Sequence, residues 1–347
     1  MQTKEERELT ALPSEQIYVS VIICTRNRAA QLGEVLDSFC QLMVPPGLRW
    51  ELIVVDNGST DRTADVVAGY SARLPVRCLR EDRPGISNAR NLGVSEARGD
   101  YICWTDDDVL LDPRWLAAYV EAFRRHPEAA VFGGRIHPVL APPTPEWFAK
   151  AKDKWPITTV LAARDFGDEV TPVTLEGGRT PYGANFAIRA IEQREQLYNA
   201  NIGASPTQSR IGEETDVIHR VIRGGGTGWW VPDSEVQHII QPQRQTLRYI
   251  FRYYRITGES FAYLQDRQPD DTYFVAFEDA PTPTIKPGPY LYRQLVLSAF
   301  WFAVYHARGN FDSKLRYLRD FGFFYGIFSY WRARGAAKRD QASERKT

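Results

Sequence analysis

The feature that most constrains this chain is a unit repeated along its first 125 residues: a short apolar run rich in β-branched residues, a polar turn, then a segment of helical period. Residues 18–24 (Tyr-Val-Ser-Val-Ile-Ile-Cys) have no helical period, and Leu32, Val35, Leu36 and Phe39 then follow at helical spacing. Residues 51–55 precede a helix opened by Ser59, Thr60 and Asp61. Residues 76–79 precede a helix starting near Gly85, and residues 101–104 precede one over 112–125. Such alternation requires a parallel sheet with right-handed crossovers and helices on its faces, so the expected class is α/β, Rossmann-like, with a mainly parallel central sheet. Ligands of these sheets bind beyond the carboxyl ends of the strands. Those ends carry Thr25-Arg26-Asn27-Arg28, Asp56-Asn57-Gly58 and Thr105-Asp106-Asp107-Asp108.

Residues 129–135 read as a fifth strand, after which Pro138, Pro142, Pro143, Pro145 and Pro156 break regularity. The next segment holds Tyr182-Gly-Ala-Asn-Phe-Ala-Ile-Arg189, a helix over 213–223, a Gly224-Gly225-Gly226 turn and a strand pair over 228–238. Beyond Arg244 the pattern is helical, with aromatics and arginines interleaved. The expected organisation is a polar tail over 1–16, two halves over 17–136 and 137–243, and a helical region over 244–347.

Bulk properties exclude several classes. Lys plus Arg equals Asp plus Glu at 43 each, so overall charge gives no support for a nucleic-acid partner. Cys24, Cys40, Cys78 and Cys103 form no C-x-x-C pair, which argues against zinc and for reduced thiols in a cytoplasmic protein. The first sixteen residues are polar and lack a signal-peptide core. The longest membrane-like stretch, 295–305, is far shorter than the roughly 20 residues a span needs.

Three consecutive aspartates after a buried strand repel one another and resist desolvation, so a cation is expected to neutralise them. Carboxylate oxygens suit Mg²⁺ or Mn²⁺, which also bind diphosphate oxygens. The plainer alternative is a solvated cap for the helix after Asp112-Pro113. Asp56 is placed to accept a hydrogen bond from a base or ribose with Thr25 beside it, or simply to form a turn. Arg90 is a candidate for phosphate or nucleobase, or for a surface ion pair. Glu213, Glu214 and Asp216 open a helix, where the macrodipole favours acids, and one of them is suited to take a proton from an acceptor hydroxyl. Glu214 is the first choice. His238 ends a strand, where it is either structural or a partner for metal or diphosphate.

Taken together, these residues resemble glycosyltransferase family 2, whose members have the GT-A fold. The resemblance rests on residues 19–28 running into 51–61, on 85–93 leading into 99–108, on Gly183-Ala-Asn185 and on Gly212-Glu-Glu-Thr-Asp216. It implies an inverting transferase moving a sugar from a nucleoside-diphosphate donor, UDP by preference, to a glycan, lipid-linked or small-molecule acceptor. By resemblance, Thr25, Arg28, Asp56, Arg90, Asp106 and Asp107 hold the donor, and Asp106, Asp108 and His238 hold a divalent metal. Gly183 and Asn185 would lie near the sugars and Glu214 would be the base, with Glu in place of the family's usual Asp.

From residue 286 onward twelve Lys or Arg stand against four Asp or Glu, among many aromatics. This region is expected either to touch an anionic membrane, at its inner face, or to pack on the catalytic domain or a second copy. Two rival functions are weaker. A sugar-phosphate nucleotidyltransferase needs a Gly-rich loop where Cys24-Thr-Arg-Asn-Arg28 has none, and a non-catalytic sugar-nucleotide-binding scaffold leaves Glu214 unexplained.

Overall fold

The computed structural model describes residues 17–175, 178–206, 210–267 and 286–344. The expected polar tail over 1–16 lies outside them. In chain order the elements are β1 (Tyr18–Thr25), α1 (Ala29–Phe39), β2 (Arg49–Asp56), α2 (Thr63–Gly69), β3 (Val76–Arg80), α3 (Ile86–Glu96), β4 (Tyr101–Asp106), β5 (Val109–Leu111), α4 (Trp115–Arg125) and β6 (Val131–Leu140). They continue with α5 (Glu146–Ala151), α6 (Ile157–Val160), β7 (Asn185–Arg189), α7 (Ala190–Glu195), α8 (Glu213–Arg223), β8 (Gly228–Ile240), α9 (Leu247–Arg267), α10 (Pro289–Ala307) and α11 (Phe311–Glu344).

The strands form one eight-stranded sheet in the order β3-β2-β1-β4-β7-β6-β8-β5. β1 pairs in parallel with β2 and β4, and β2 with β3, as the alternating pattern requires. Val19, Val21, Ile22 and Ile23 of β1 are wholly shielded from water, because a central parallel strand is covered on both faces. Beyond β4 the sheet turns antiparallel: β7 pairs with β4 and β6, and β5 with β8. Three boundaries differ from expectation. The helix foreseen at 59–61 starts at Thr63, whose N–H donates to the Asp61 carboxylate at 3.1 Å in the turn before it. The expected strand pair over 228–238 is one strand of 13 residues. The short β5 inserts directly after the aspartates, ahead of α4.

The chain divides into two compact units. The first comprises 17–138, 164–200 and 213–239, and the second 139–163, 201–212 and 240 onward. The boundary expected at 137 therefore falls within β6. In the first unit Trp115, Tyr119, Phe123 and Phe132 build the core on one side of the sheet, while Ile22, Val55, Trp104 and Phe186 belong to the other. In the second unit α9 and α11 pack at backbone contact distance. A Cβ at Gly258 or Gly326 would fall about 2 Å from Phe323 O or Arg255 O, so only glycine permits this approach.

Candidate active site

The site lies in the first unit, at the carboxyl ends of β1, β2 and β4. β1 delivers Thr25, β2 delivers Asp56 and β4 delivers Asp106, with Asp107 and Asp108 in the turn to β5. The loops behind β1 and β2 are tied together. Asn27, at φ +53°, donates its N–H to Ser59 Oγ at 2.9 Å and accepts from the Thr60 N–H at 2.8 Å. Asp56 accepts from the Ser59 N–H at 2.7 Å and lies 3.6 Å from Arg80 Nη1. One Asp56 oxygen thus shapes the turn, and the other faces a cation.

Within the triplet the three carboxylates take different partners. Asp107 accepts from Thr25 Oγ1 at 2.8 Å and from Arg28 Nη1 at 2.7 Å. Arg28 Nη1 also donates to Asp108 at 3.1 Å, and His238 Nε2 lies 3.6 Å from the other Asp108 oxygen. Asp106 lies on the opposite side, 3.8 Å from Arg90 Nη2. Burial raises the Asp107 carboxyl, against Arg28 and Thr25, which lower it. Loss of water, together with the charges of Asp108, Asp107 and Glu214, pushes Asp106 up to about 7 despite Arg90.

Arg90, on α3, is only 4% exposed. Its guanidinium stands 3.1 Å from Glu213 and 3.7 Å from Glu214, over the rings of Trp104 and Tyr198. It is not a surface ion pair. It joins the acid of β4 to the first turn of α8, where the helix macrodipole favours Glu213 and Glu214. Glu213 is buried and its carboxyl is pushed up to about 7 by burial and by Glu214. Glu214 keeps a side-chain exposure of 19%, against 9% for Glu213, so it is the more accessible acid of this pair. Asp216 is turned away and forms an ion pair with Arg220 at 3.0 Å, one helical turn on.

Gly183 lies against this cluster: an added Cβ would sit 3.2 Å from both Arg90 Nη2 and Glu214 Oε1. Asn185, expected near the sugars, sits in the interior of the sheet. It is fully buried, its Oδ1 accepts from Trp115 Nε1 and Tyr119 Oη at 2.8 and 2.7 Å, and its Nδ2 donates to Arg135 O and Ser234 O. An amide has two acceptor sites and two donors, all used here inside the protein. Trp104, Tyr198 and the half-buried Cys24, whose thiol desolvation pushes up to about 12, complete the surroundings of Arg90, a role the sequence did not show.

The donor set suits a hard divalent cation in part. Among the described residues no three His, Cys, Asp or Glu groups gather closely enough to hold an ion by themselves. Asp106 and Asp108 face different cations, so the expected set of Asp106, Asp108 and His238 is not closed on one point. Mg²⁺ is commonly held by one or two carboxylates plus substrate phosphates, however, and crowded carboxylates with Asp106 raised to about 7 fit that mode.

A Rossmann-like half-sheet with acids at its switch point, extended by antiparallel strands and by helix α8, which opens on a second acid pair, is the GT-A arrangement. The family model for glycosyl transferase family 2 matches residues 20–169, in keeping with the resemblance drawn from the sequence. Among curated proteins it is 28% identical over 245 residues to the succinoglycan biosynthesis protein ExoM of Rhizobium meliloti, covering 69% of this chain and 72% of that one. It is 27% identical over 214 residues to the glucosyl-dolichyl phosphate glucuronosyltransferase of Haloferax volcanii, covering 60% and 64%. Among solved structures it resembles the mannosyltransferase PcManGT of Pyrobaculum calidifontis in complex with GDP-Man and Mn²⁺, at 18% identity, TM-score 0.55 and coverage of 89% and 87%. It also resembles S. aureus TarS 1–349 in complex with UDP, at 15% identity, TM-score 0.51 and coverage of 91% and 92%. At these identities the two structures bear on the fold alone.

Proposed function

We propose that the protein is an inverting glycosyltransferase that moves a sugar from a nucleoside-diphosphate donor, UDP first, to an acceptor hydroxyl in polysaccharide or glycoconjugate assembly. The observation that carries this reading is Arg90, which couples Asp106 at the donor end of β4 to Glu213 and Glu214 at the start of α8. Thr25, Arg28, Asp56 and Asp107 line the nucleotide side, with Arg28 the half-exposed cation nearest the triplet. Asp106 and Asp108, with His238 beside Asp108, would hold Mn²⁺ or Mg²⁺ together with the diphosphate. The cation would supply Lewis-acid stabilisation to the leaving group.

In the displacement the acceptor oxygen bonds to the anomeric carbon as the bond to the diphosphate oxygen breaks. The hydroxyl proton passes to Glu214 and the nucleoside diphosphate departs. Glu214 is favoured over Glu213, which is buried and closer to Arg90, and over Asp216, which is held by Arg220. The acceptor is a glycan, a lipid-linked sugar or a small molecule. The setting is the cytoplasm at the inner membrane face, with a homo-oligomer as a further expectation. No helix of the described residues is long and apolar enough to cross a membrane.

The test measures nucleoside diphosphate released from UDP-glucose, UDP-N-acetylglucosamine, UDP-glucuronate and GDP-mannose, with water as the slow acceptor. At least one donor should be turned over, and Glu214→Gln should bind it yet release about 10²- to 10⁴-fold less. Binding of a donor without turnover by the wild type would instead favour the non-catalytic scaffold.

A further inference from the structure

The second unit carries a surface that the chemistry of transfer does not use. Tyr292, Val296 and Phe300 of α10 recur every fourth residue and are 50%, 65% and 56% exposed, so they form one apolar stripe open to water. Of the large hydrophobic side chains exposed among the described residues, five belong to this 19-residue helix. Such concentration is a patch, unlike the scattered apolar exposure normal for a protein surface. The opposite face is engaged: Leu291 and Ser298 are buried, and Trp301 and Tyr305 stack on Tyr317 of α11. The stripe is therefore what remains after α10 has packed.

Charge indicates what covers it. α10 contains no Asp or Glu, and its one Lys or Arg, Arg293, is exposed beside the stripe. Lys286 before the helix and Arg308 at its C-terminal cap are exposed too. From residue 286 to the end twelve Lys or Arg face four Asp or Glu. A second copy would bring an equally basic face against this one, whereas anionic phospholipid offers both the acyl boundary for the stripe and the phosphates for the cations. The helix is too polar to cross a bilayer, and tyrosine is suited to the headgroup level.

We propose that α10 lies along an anionic phospholipid surface, with Tyr292, Val296 and Phe300 at the acyl boundary and Arg293 among the headgroups. This goes beyond the transferase reading and is measured without turnover, so either can fail alone.

The experiment is co-sedimentation of the full chain with phosphatidylcholine vesicles, with and without phosphatidylglycerol, at low and high salt. Wild type should pellet with the anionic vesicles, less so at high salt. The double variant Val296→Glu/Phe300→Glu should bind about tenfold less or worse. Arg293→Glu, which leaves the stripe intact, should weaken binding to anionic vesicles only. Unchanged thermal midpoints confirm that the variants fold. Wild type left in the supernatant with anionic vesicles, or a double variant that pellets like wild type, would overturn the proposal. So would a dimer in sedimentation velocity that the double variant dissociates while vesicles bind neither protein.

Discussion

Removing the Arg90 guanidinium would leave Glu213, Glu214 and Asp106 facing one another in a site already short of water. Breaking a buried ion pair by deleting one partner costs about 3–5 kcal/mol, because the other charge stays buried. Arg90→Ala should therefore lower the unfolding free energy measured by urea titration by an amount of that order, and Arg90→Lys should recover only part, since an ammonium lacks the planar fork. Asn185→Leu separates a structural role of that residue from a sugar contact. It strands the Trp115 and Tyr119 donors and two backbone carbonyls, so a loss of several kcal/mol in stability is expected at about 1–3 kcal/mol per orphaned group. A sugar-contact residue would instead change substrate affinity with stability intact. The Asp triplet and the acids at 213, 214 and 216 were legible as residue types suited to metal and base chemistry. Their partners were not: Arg90 meets Glu213 across 123 positions, and charge pattern along a chain does not say which charges meet.

At the scale of elements, β1 to β4 and their helices were readable because apolar runs without helical period, separated by turn residues, admit one arrangement. Strand direction beyond β4 was not, since period-two and buried runs look alike in parallel and antiparallel strands. β5, with three residues, is too short to show any period, although it fixes Asp107 and Asp108 in a tight turn before β8. Gly183 is where loop and helix meet. Gly183→Ala would place a methyl 3.2 Å from Arg90 and Glu214, so either neighbour must shift by a few tenths of an ångström. Donor turnover should fall while the thermal midpoint moves little, because the strain falls on Arg90 and Glu214 and not on the core. An unchanged turnover would separate Gly183 from the site.

Across the whole molecule, acids whose carboxyls rise on folding make stability depend on pH. Glu213 rises from 4.5 to about 7, so its folded form holds a proton that the unfolded chain has lost between those values. That contribution is fully present below pH 4.5 and is lost as pH climbs through 7, and Glu213→Gln should flatten this part of the stability profile measured by urea unfolding. Asp106, also near 7, must give up its proton to bind a cation. Nucleotide binding that depends on Mn²⁺ should therefore weaken below pH 7 and release protons, visible as a buffer-dependent heat. The most direct test of the account is calorimetric titration of UDP, GDP and dTDP into wild type and Asp108→Ala, with and without Mn²⁺. One nucleotide, bound only with Mn²⁺ and lost in the variant, is the predicted result. Binding of none, or equal binding without metal and in the variant, would contradict the assignment of the aspartates to the donor site.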